Sequence, residues 1–368
     1  MTDAADRLRE ALVRRGGIVE TRCGRPTLVR FAAGPEAEAR TARARAAYFD
    51  RSPRGETFEL GGADRAKYLH GQCTQDVKGK AAGAGGQAWL LDPRGRNLGA
   101  LRFFVLDDAI LVEADPSCAG VVKKRLRKFV ITEDVTIDDA LPAASWHVAG
   151  PQAAATLEAA LPGVLLPRAE DHVGAYRADG ARWIVTANEE TGETGFDVRL
   201  YRDAPSPQGD RVERFLAALE AAGAAPAGDD AFEILRVEAG RPRYGVDVDE
   251  DLLPAETGRL DATVSFTKGC YAGQEVVAKQ QYLGRPRKRL LGLIGEGEPL
   301  RPGGALRAEN GGDAGVALSG VRSPVLGRPI SFAVLKGPAA TPGAVVLDAD
   351  LAPWIVVSPP FVRRGGAG

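Results

Sequence analysis

A change of texture at Tyr282 constrains the fold more than any other feature of this 368-residue chain. Before it, strand-like and helical patterns alternate. After it, the basic stretch 283–290 (LGRPRKRL) leads into short β-rich runs at 290–294, 315–319, 330–335, 344–346 and 354–357, parted by Gly, Pro and Asn. Runs that short, at that spacing, predict a small all-β barrel or sandwich. The chain length supports two or three domains. We therefore expect an α+β body over residues 46–281 and a β-barrel over 286–364.

Within the body, 58–60 reads as a strand and 64–69 as the start of a helix with Asp64 at its N-cap. Strands at 87–91 and 98–106 are joined by Asp92-Pro93-Arg94-Gly95, whose residues suit a tight turn, and 109–113 follows. Residues 119–131 form an amphipathic helical pattern, with Val122, Leu126, Phe129 and Val130 on one face and Lys123, Lys124, Arg127 and Lys128 on the other. From Trp146 the order is strand, Gly-Pro turn, helix (151–161), strands (176–177, 181–186, 195–201) and helix (212–222). A further helix at 231–239 has Asp229 or Asp230 as its N-cap and Gly240 as its stop. This is the pattern of an α+β layer. The first 45 residues carry two Ala/Arg/Glu helical patterns, 4–15 and 35–48, interrupted around 24–30, and read as a helical N-terminal extension.

Composition narrows the partners. A formal net charge of −1 gives no global attraction to nucleic acid or an anionic membrane. Cys23, Cys73, Cys118 and Cys270 lie far apart without a CxxC pair, and the three histidines are scattered, so no metal or cluster signature is present. Unpaired thiols in a chain of this size suggest a reducing compartment. The N-terminus is charged, and no apolar run approaches the ~18 residues of a membrane span. We expect a soluble cytoplasmic monomer. Gly83–Gly86 lacks the GK[ST] ending of a phosphate loop, and no nucleophile elbow or HExxH motif occurs.

Candidate chemistry lies in four segments. FTKGCYAGQEVVAKQQ (266–281) places Cys270 between Gly269 and Tyr271, two residues after Lys268 and ahead of a helical stretch. A helix N-terminus and a lysine both favour a thiolate; the alternative is a small cysteine packed in a turn. TGETGFD (191–197) sets Glu193 in a glycine-flanked turn. RVEAGRPRYGVD (236–247) offers Arg236, Arg243 and Tyr244, and LPAETG (253–258) follows.

TKGCYAGQEVVAK is similar to the K-G-C-[FY]-x-G-Q-E signature of the YgfZ family of folate-binding proteins, relatives of the mitochondrial iron–sulfur assembly factor. ELGGADRAKYLHGQCTQDV, LLDPRGRNLGALRFF, TGETGFD, RVEAGRPRYGVD and LPAE resemble the wider superfamily of the glycine-cleavage aminomethyltransferase (T-protein) and folate-dependent demethylases. The resemblance runs from about Phe58 to the C-terminal strands. It implies a three-lobed ring with tetrahydrofolate in a central channel, closed by the C-terminal barrel. It implies Glu193 as acceptor for the pterin N–H groups, Tyr244 as a ring wall, Arg236 or Arg243 for the anionic tail, and Gln274 as a further folate contact. Cys270 with Lys268 becomes a functional thiol site. The aminomethyltransferases carry an aspartate beside the reactive folate nitrogens. Aligning 98–100 there gives Gly99 as its match, which argues against aminomethyl transfer. The resemblance thus implies a folate-binding accessory protein for iron–sulfur cluster assembly or repair, serving enzymes that include tRNA-modifying ones. The alternative is a tetrahydrofolate-dependent aminomethyl or methyl transferase or demethylase. A third reading is tRNA contact through the 123–128 helix and Arg285–Arg289. One thiol cannot hold a cluster alone, so no stably bound metal is expected.

Overall fold

In the computed structural model, which describes residues 4–52, 56–178, 180–201, 208–282 and 286–364, two sheets and a barrel form three lobes. The first sheet has six strands in the order Val173–Ala178, Ala181–Ala187, Gly195–Tyr201, Ala144–Ala149, Ala47–Asp50 and Ala225–Ala227. All neighbours are antiparallel except the last pair, where Ala225 matches Ala47 in parallel. The chain leaves this sheet after Asp50, builds the second one, and returns at Ala144.

Every residue of the central strands Ala144–Ala149 and Gly195–Tyr201 is buried, because helices cover one face and the second sheet, together with helix Asp229–Glu238, lies against the other. Side-chain alternation sorts the two cores. Trp146 and Val148 join Leu157 and Phe215 on one face, with Trp146 and Phe215 edge-on at 4.8 Å. His147 turns to the other, toward Phe49 and Phe232.

The first 45 residues are built into this lobe. Helix Ala4–Arg14 buries Leu8 and Leu12 in the Trp146 core. Helix Pro35–Ala44 packs Ala39 and Ala42 in the cluster of Phe49, Phe232 and Leu235. The segment between them is a β-hairpin, Ile18–Arg22 with Arg25–Arg30, so the stretch is not wholly helical. Cys23 and Gly24, with φ of 50° and 73°, form its two-residue turn, the geometry that matches strand twist.

The second sheet is antiparallel, in the order Gly85–Leu91, Asn97–Val105, Ile110–Ala114, Glu56–Gly61 and Thr136–Asp139. Helices Arg65–Gln72 and Ala119–Lys128 seal one face, setting Leu69, Val122 and Leu126 against Phe58, Phe103 and Val112. Three local expectations change. Asp64 precedes its helix without capping it, its carboxylate accepting the N–H of Asp134 instead. The basic helix stops at Lys128, and Phe129 is turned out beneath the Arg125 guanidinium at 3.6 Å. Helix Asp229–Glu238 starts two residues earlier than expected, with Gly228 rather than Asp229 or Asp230 at the N-cap. A β-carbon on Gly228 would stand 2.2 Å from the Val29 carbonyl oxygen, so no capping side chain fits there.

The C-terminal lobe is a closed barrel of Lys288–Ile294, Pro329–Lys336, Asp313–Arg322, Ala305–Ala308, Val345–Leu347 and Pro353–Val357. Arg236 ties it to the body: fully buried, it donates to Asp247 at 2.7 Å and to Ser319 of the barrel at 2.8 Å. Helix Gln274–Tyr282 sits on the turn at 92–95. A β-carbon on Gly273 (φ 82°) would stand 2.7 Å from the Asp92 carbonyl oxygen and 3.0 Å from the Gly95 α-carbon. Only glycine permits that approach. Among the described residues no helix is long and apolar enough to cross a membrane.

Candidate functional site

A cavity of about 240 Å³ lies where the first two sheets meet the segment 241–263. None of its lining residues comes from the barrel. The second sheet contributes Ala100 and Arg102 from one strand, at the two-residue spacing that places side chains on one face, and Glu113 from its neighbour, with Asp115 just past that strand's end. The first sheet contributes Asp197 and Arg199 by the same rule. Trp89 and Tyr244, with ring centroids 6.4 Å apart, supply an aromatic wall. The indole N–H of Trp89 donates to Thr263 at 2.8 Å, and the Tyr244 hydroxyl to the Asn97 carbonyl at 3.1 Å, so both rings are fixed.

The charges between the sheets form one network. Arg102 donates to Asp197 at 2.9 Å and to Asp171 at 3.2 Å, and lies 3.6 Å from Glu113. Arg199 pairs with Glu113 and donates to Thr186 at 3.0 Å. Asp197 also accepts from Asn188 at 2.7 Å, and His147 Nδ1 lies 2.8 Å from its other oxygen. Burial is the largest influence on Asp197 and opposes its charge. His147, Arg199 and Arg102 together outweigh it and hold the carboxyl well below the usual range. For Glu113 burial prevails over Arg199 and Arg102, and its pKa is raised. Arg102 keeps its charge: burial disfavours it, but Asp171, Glu113 and Asp197 surround it.

One cation is set apart. Arg259 lines the cavity and donates to Gln87 Oε1 at 2.8 Å. Among the described residues it has no carboxylate partner. Burial, followed by repulsion from Arg241, pushes its pKa down to about 10.

The structure disperses the residues singled out in the sequence. Tyr244 and Arg243 line the cavity, and Arg243 pairs with Glu233 at 2.5 Å. Glu193, Arg236, Gln274, Lys268 and Cys270 are not among its lining residues. Glu193 faces helix Pro35–Ala44 and pairs with its Arg43 at 2.8 Å, burial raising its pKa despite that partner. Arg43 also reaches Glu238 at 2.6 Å. Arg236 is the clamp to the barrel. Gln274 opens the helix on the 92–95 turn. The Lys268 ammonium donates to the carbonyls of Cys73 at 2.6 Å and Gln75 at 3.0 Å, and to that of His70. It therefore fastens the loop after helix Arg65–Gln72. Cys270 is exposed, four residues before helix Gln274–Tyr282 rather than at its first turn.

The match for the family aspartate also moves. A β-carbon on Gly99 would stand 2.6 Å from Val122 and 3.2 Å from Cys118. Gly99 thus faces the helix, and Ala100 is the residue on the cavity wall. The position remains uncharged. Asp197, Arg199, Arg102, Gln87 and Arg259 went unnoticed in the sequence. The available signal was the alternation in GFDVRLY, which sets Asp197 and Arg199 on one strand face.

A family model described as the GCVT N-terminal domain matches residues 12–268. The chain belongs to this family, the aminomethyltransferase superfamily. It is 33% identical over 341 residues to a protein named aminomethyltransferase from Rubrobacter xylanophilus, covering 90% of this chain and 87% of the relative. It is 30% identical over 350 residues to one of the same name from Streptomyces coelicolor, covering 90% of each. The crystal structure of glycine cleavage system aminomethyltransferase T from Bartonella henselae matches with a TM-score of 0.86 at 23% identity, covering 97% of this chain and 98% of that one. The superfamily fold thus takes in the N-terminal helices and hairpin as well. Among the described residues, no group of three or more His, Cys, Asp or Glu is placed to hold a metal ion.

Proposed function

We propose that the chain binds tetrahydrofolate or a derivative in the cavity between the two sheets and acts in one-carbon transfer there. The observation that carries this reading is the 33% identity, over 90% of the chain, to relatives named aminomethyltransferase. The residues of the cavity fit the ligand. Trp89 and Tyr244 offer flat walls to a pterin or benzoyl ring, Glu190 and Asp197 offer acceptors to its N–H groups, and Arg259 offers a cation without a carboxylate of its own. Bound tetrahydrofolate would supply the nitrogens that carry the one-carbon unit. The chain's part is to orient the ring, exclude water and hold protons.

Ala100 limits the rate. A positioned general base contributes about 10²–10⁴-fold, and Ala100 cannot act as one. Transfer is therefore expected to be slow rather than absent. The test is anaerobic titration with tetrahydrofolate, together with tetrahydrofolate-dependent release of ammonia from an aminomethylated lipoyl carrier. Saturable binding with slow release supports the reading, and absence of binding overturns it.

A second reading keeps the folate site and assigns the chain to the support of iron–sulfur enzymes. Exposed Cys270 in the KGCY turn and the uncharged wall at Ala100 favour it. Its test is the activity of iron–sulfur enzymes, tRNA-modifying ones among them, in a deletion strain carrying Cys270→Ala. Full restoration by that variant removes the thiol from the function. For tRNA contact the support is thinner: Lys123 is paired with Asp139, and Arg285 lies outside the described residues.

A further inference from the structure

Five carboxylates line the cavity, and four of them are held by arginines. Glu113 pairs with Arg199, Asp197 with Arg102, Glu170 with Arg241 at 3.1 Å, and Glu190 lies 3.9 Å from Arg51. Asp115, the fifth, is half-buried and has no cation partner among the described residues. Its Oδ1 accepts the backbone N–H of Ser117 at 2.9 Å and the Ser117 hydroxyl at 2.7 Å, while no donor among the described residues reaches Oδ2. The backbone beneath it is fixed. The Asp115 carbonyl accepts the N–H groups of Cys118 at 2.9 Å and Ala119 at 2.8 Å, where helix Ala119–Lys128 begins. Between strands Asn97–Val105 and Ile110–Ala114, Leu101 matches Ala114 and Arg102 matches Glu113. One residue further along this antiparallel register, Asp115 stands opposite Ala100. Residues directly opposite share a face, with β-carbons about 5 Å apart. The Cys118 thiol donates to the Ala100 carbonyl at 3.7 Å, which holds the two segments together at this point. The uncharged wall position thus has a carboxylate beside it.

We propose that Asp115 is the catalytic base of this cavity, supplying from the neighbouring strand the carboxylate that Ala100 lacks. The inference rests on the one-carbon-transfer reading and adds the residue through which the slow transfer runs. Asp115 Oδ2 takes the proton that a folate nitrogen releases as its lone pair bonds to the aminomethyl carbon. It returns that proton to the amine nitrogen, which departs as ammonia with the electrons of the broken carbon–nitrogen bond. The carboxylate is regenerated, and nothing is oxidised or reduced. The other four carboxylates are held by guanidinium groups, and none of them stands opposite Ala100. A displacement of one strand spacing makes Asp115 a poorer base than a carboxylate at position 100 would be, in keeping with slow turnover.

The experiment measures two quantities on the full chain: tetrahydrofolate affinity by anaerobic titration, and tetrahydrofolate-dependent ammonia release from an aminomethylated lipoyl carrier. Asp115→Asn keeps an oxygen for the Ser117 N–H and removes only the charge. It is expected to slow release at saturating tetrahydrofolate by at least about tenfold, with affinity within about twofold of wild type. Asp115→Ser, whose hydroxyl can also accept from that N–H, serves if the asparagine variant does not fold, and the same loss is expected. Ala100→Asp placed on the Asp115→Asn background should restore release to at least the wild-type rate, which damage to the turn alone would not allow. If Asp115→Asn turns over as wild type does, or the second substitution restores nothing, the inference is overturned while the folate reading stands. If wild type binds no tetrahydrofolate or releases no ammonia, the one-carbon-transfer reading fails and this inference with it.

Discussion

Arg102 of the second sheet donates to Asp197 of the first at 2.9 Å, across the seam that bounds the cavity. Both side chains are mostly buried, so the pair holds two lobes together in a low-dielectric setting. Removing one partner of such a pair costs far more than the pair adds, because the other charge is stranded. Asp197→Asn is expected to lower stability by about 3–5 kcal/mol. The pH dependence follows from the depressed Asp197 pKa. Its contribution is complete above the unfolded aspartate value of about 3.9 and is lost as pH falls through the lower folded value. The gap between urea melts of wild type and variant should therefore be full at pH 7 and begin to narrow as pH falls below about 3.9. Equal stability at pH 7 would exclude this pair as a link between the lobes.

Ala100 stands on the cavity wall where the superfamily resemblance leads one to expect an aspartate. Ala100→Asp should raise tetrahydrofolate-dependent ammonia release by at least about tenfold, toward the 10²–10⁴-fold of a positioned base. The readout is turnover rate at saturating folate, with folate affinity measured alongside. A rate unchanged in a folded, folate-binding variant would show that this wall position does not govern transfer.

The barrel and the hairpin at 87–106 were legible because each is specified locally: short alternating runs in the first case, and a turn with Asp92 and Gly95 in the right places in the second. The N-terminal hairpin was obscured because its turn residues, Cys23 and Gly24, do not form one of the common turn dipeptides. The candidate site was less legible than the fold. Arg102 and Asp197 are 95 positions apart, and nothing in either segment alone points to the other. Glu193 attracted notice by its glycine-flanked turn. The cavity uses the strand after that turn, because alternation directs Asp197 inward while Glu193 meets Arg43. Long-range pairing, not local propensity, decided which carboxylate faces the cavity.

Glu193 offers a direct comparison of the two roles. Its pair with Arg43 is mostly buried and fastens helix Pro35–Ala44 to the turn at 191–195. Glu193→Gln is expected to cost about 1.5–3 kcal/mol of stability, the range for a hydrogen bond to a charged group, with tetrahydrofolate affinity unchanged. Paired denaturation and titration curves would check it. Weakened folate binding at unaltered stability would move Glu193 back into the ligand site.

The four thiols divide by burial, and this division predicts their chemistry. Cys73 and Cys118 are buried and Cys23 and Cys270 exposed. Burial raises the pKa of Cys73, and that of Cys118 to about 11. At pH 8 only about one Cys118 in a thousand would be a thiolate. An aromatic disulfide reagent should therefore titrate two thiols rapidly in the native protein and the other two only on unfolding. Lys268 is committed to backbone carbonyls of the 70–75 loop, which leaves it poorly placed to activate Cys270. The rates of Cys270 and Cys23 should accordingly agree within about tenfold, as read by mass spectrometry of partly labelled protein. A Cys270 rate far above that of Cys23 would reveal an activated thiol and strengthen the iron–sulfur reading. A Cys270 as slow as Cys118 would mark it as a packing residue.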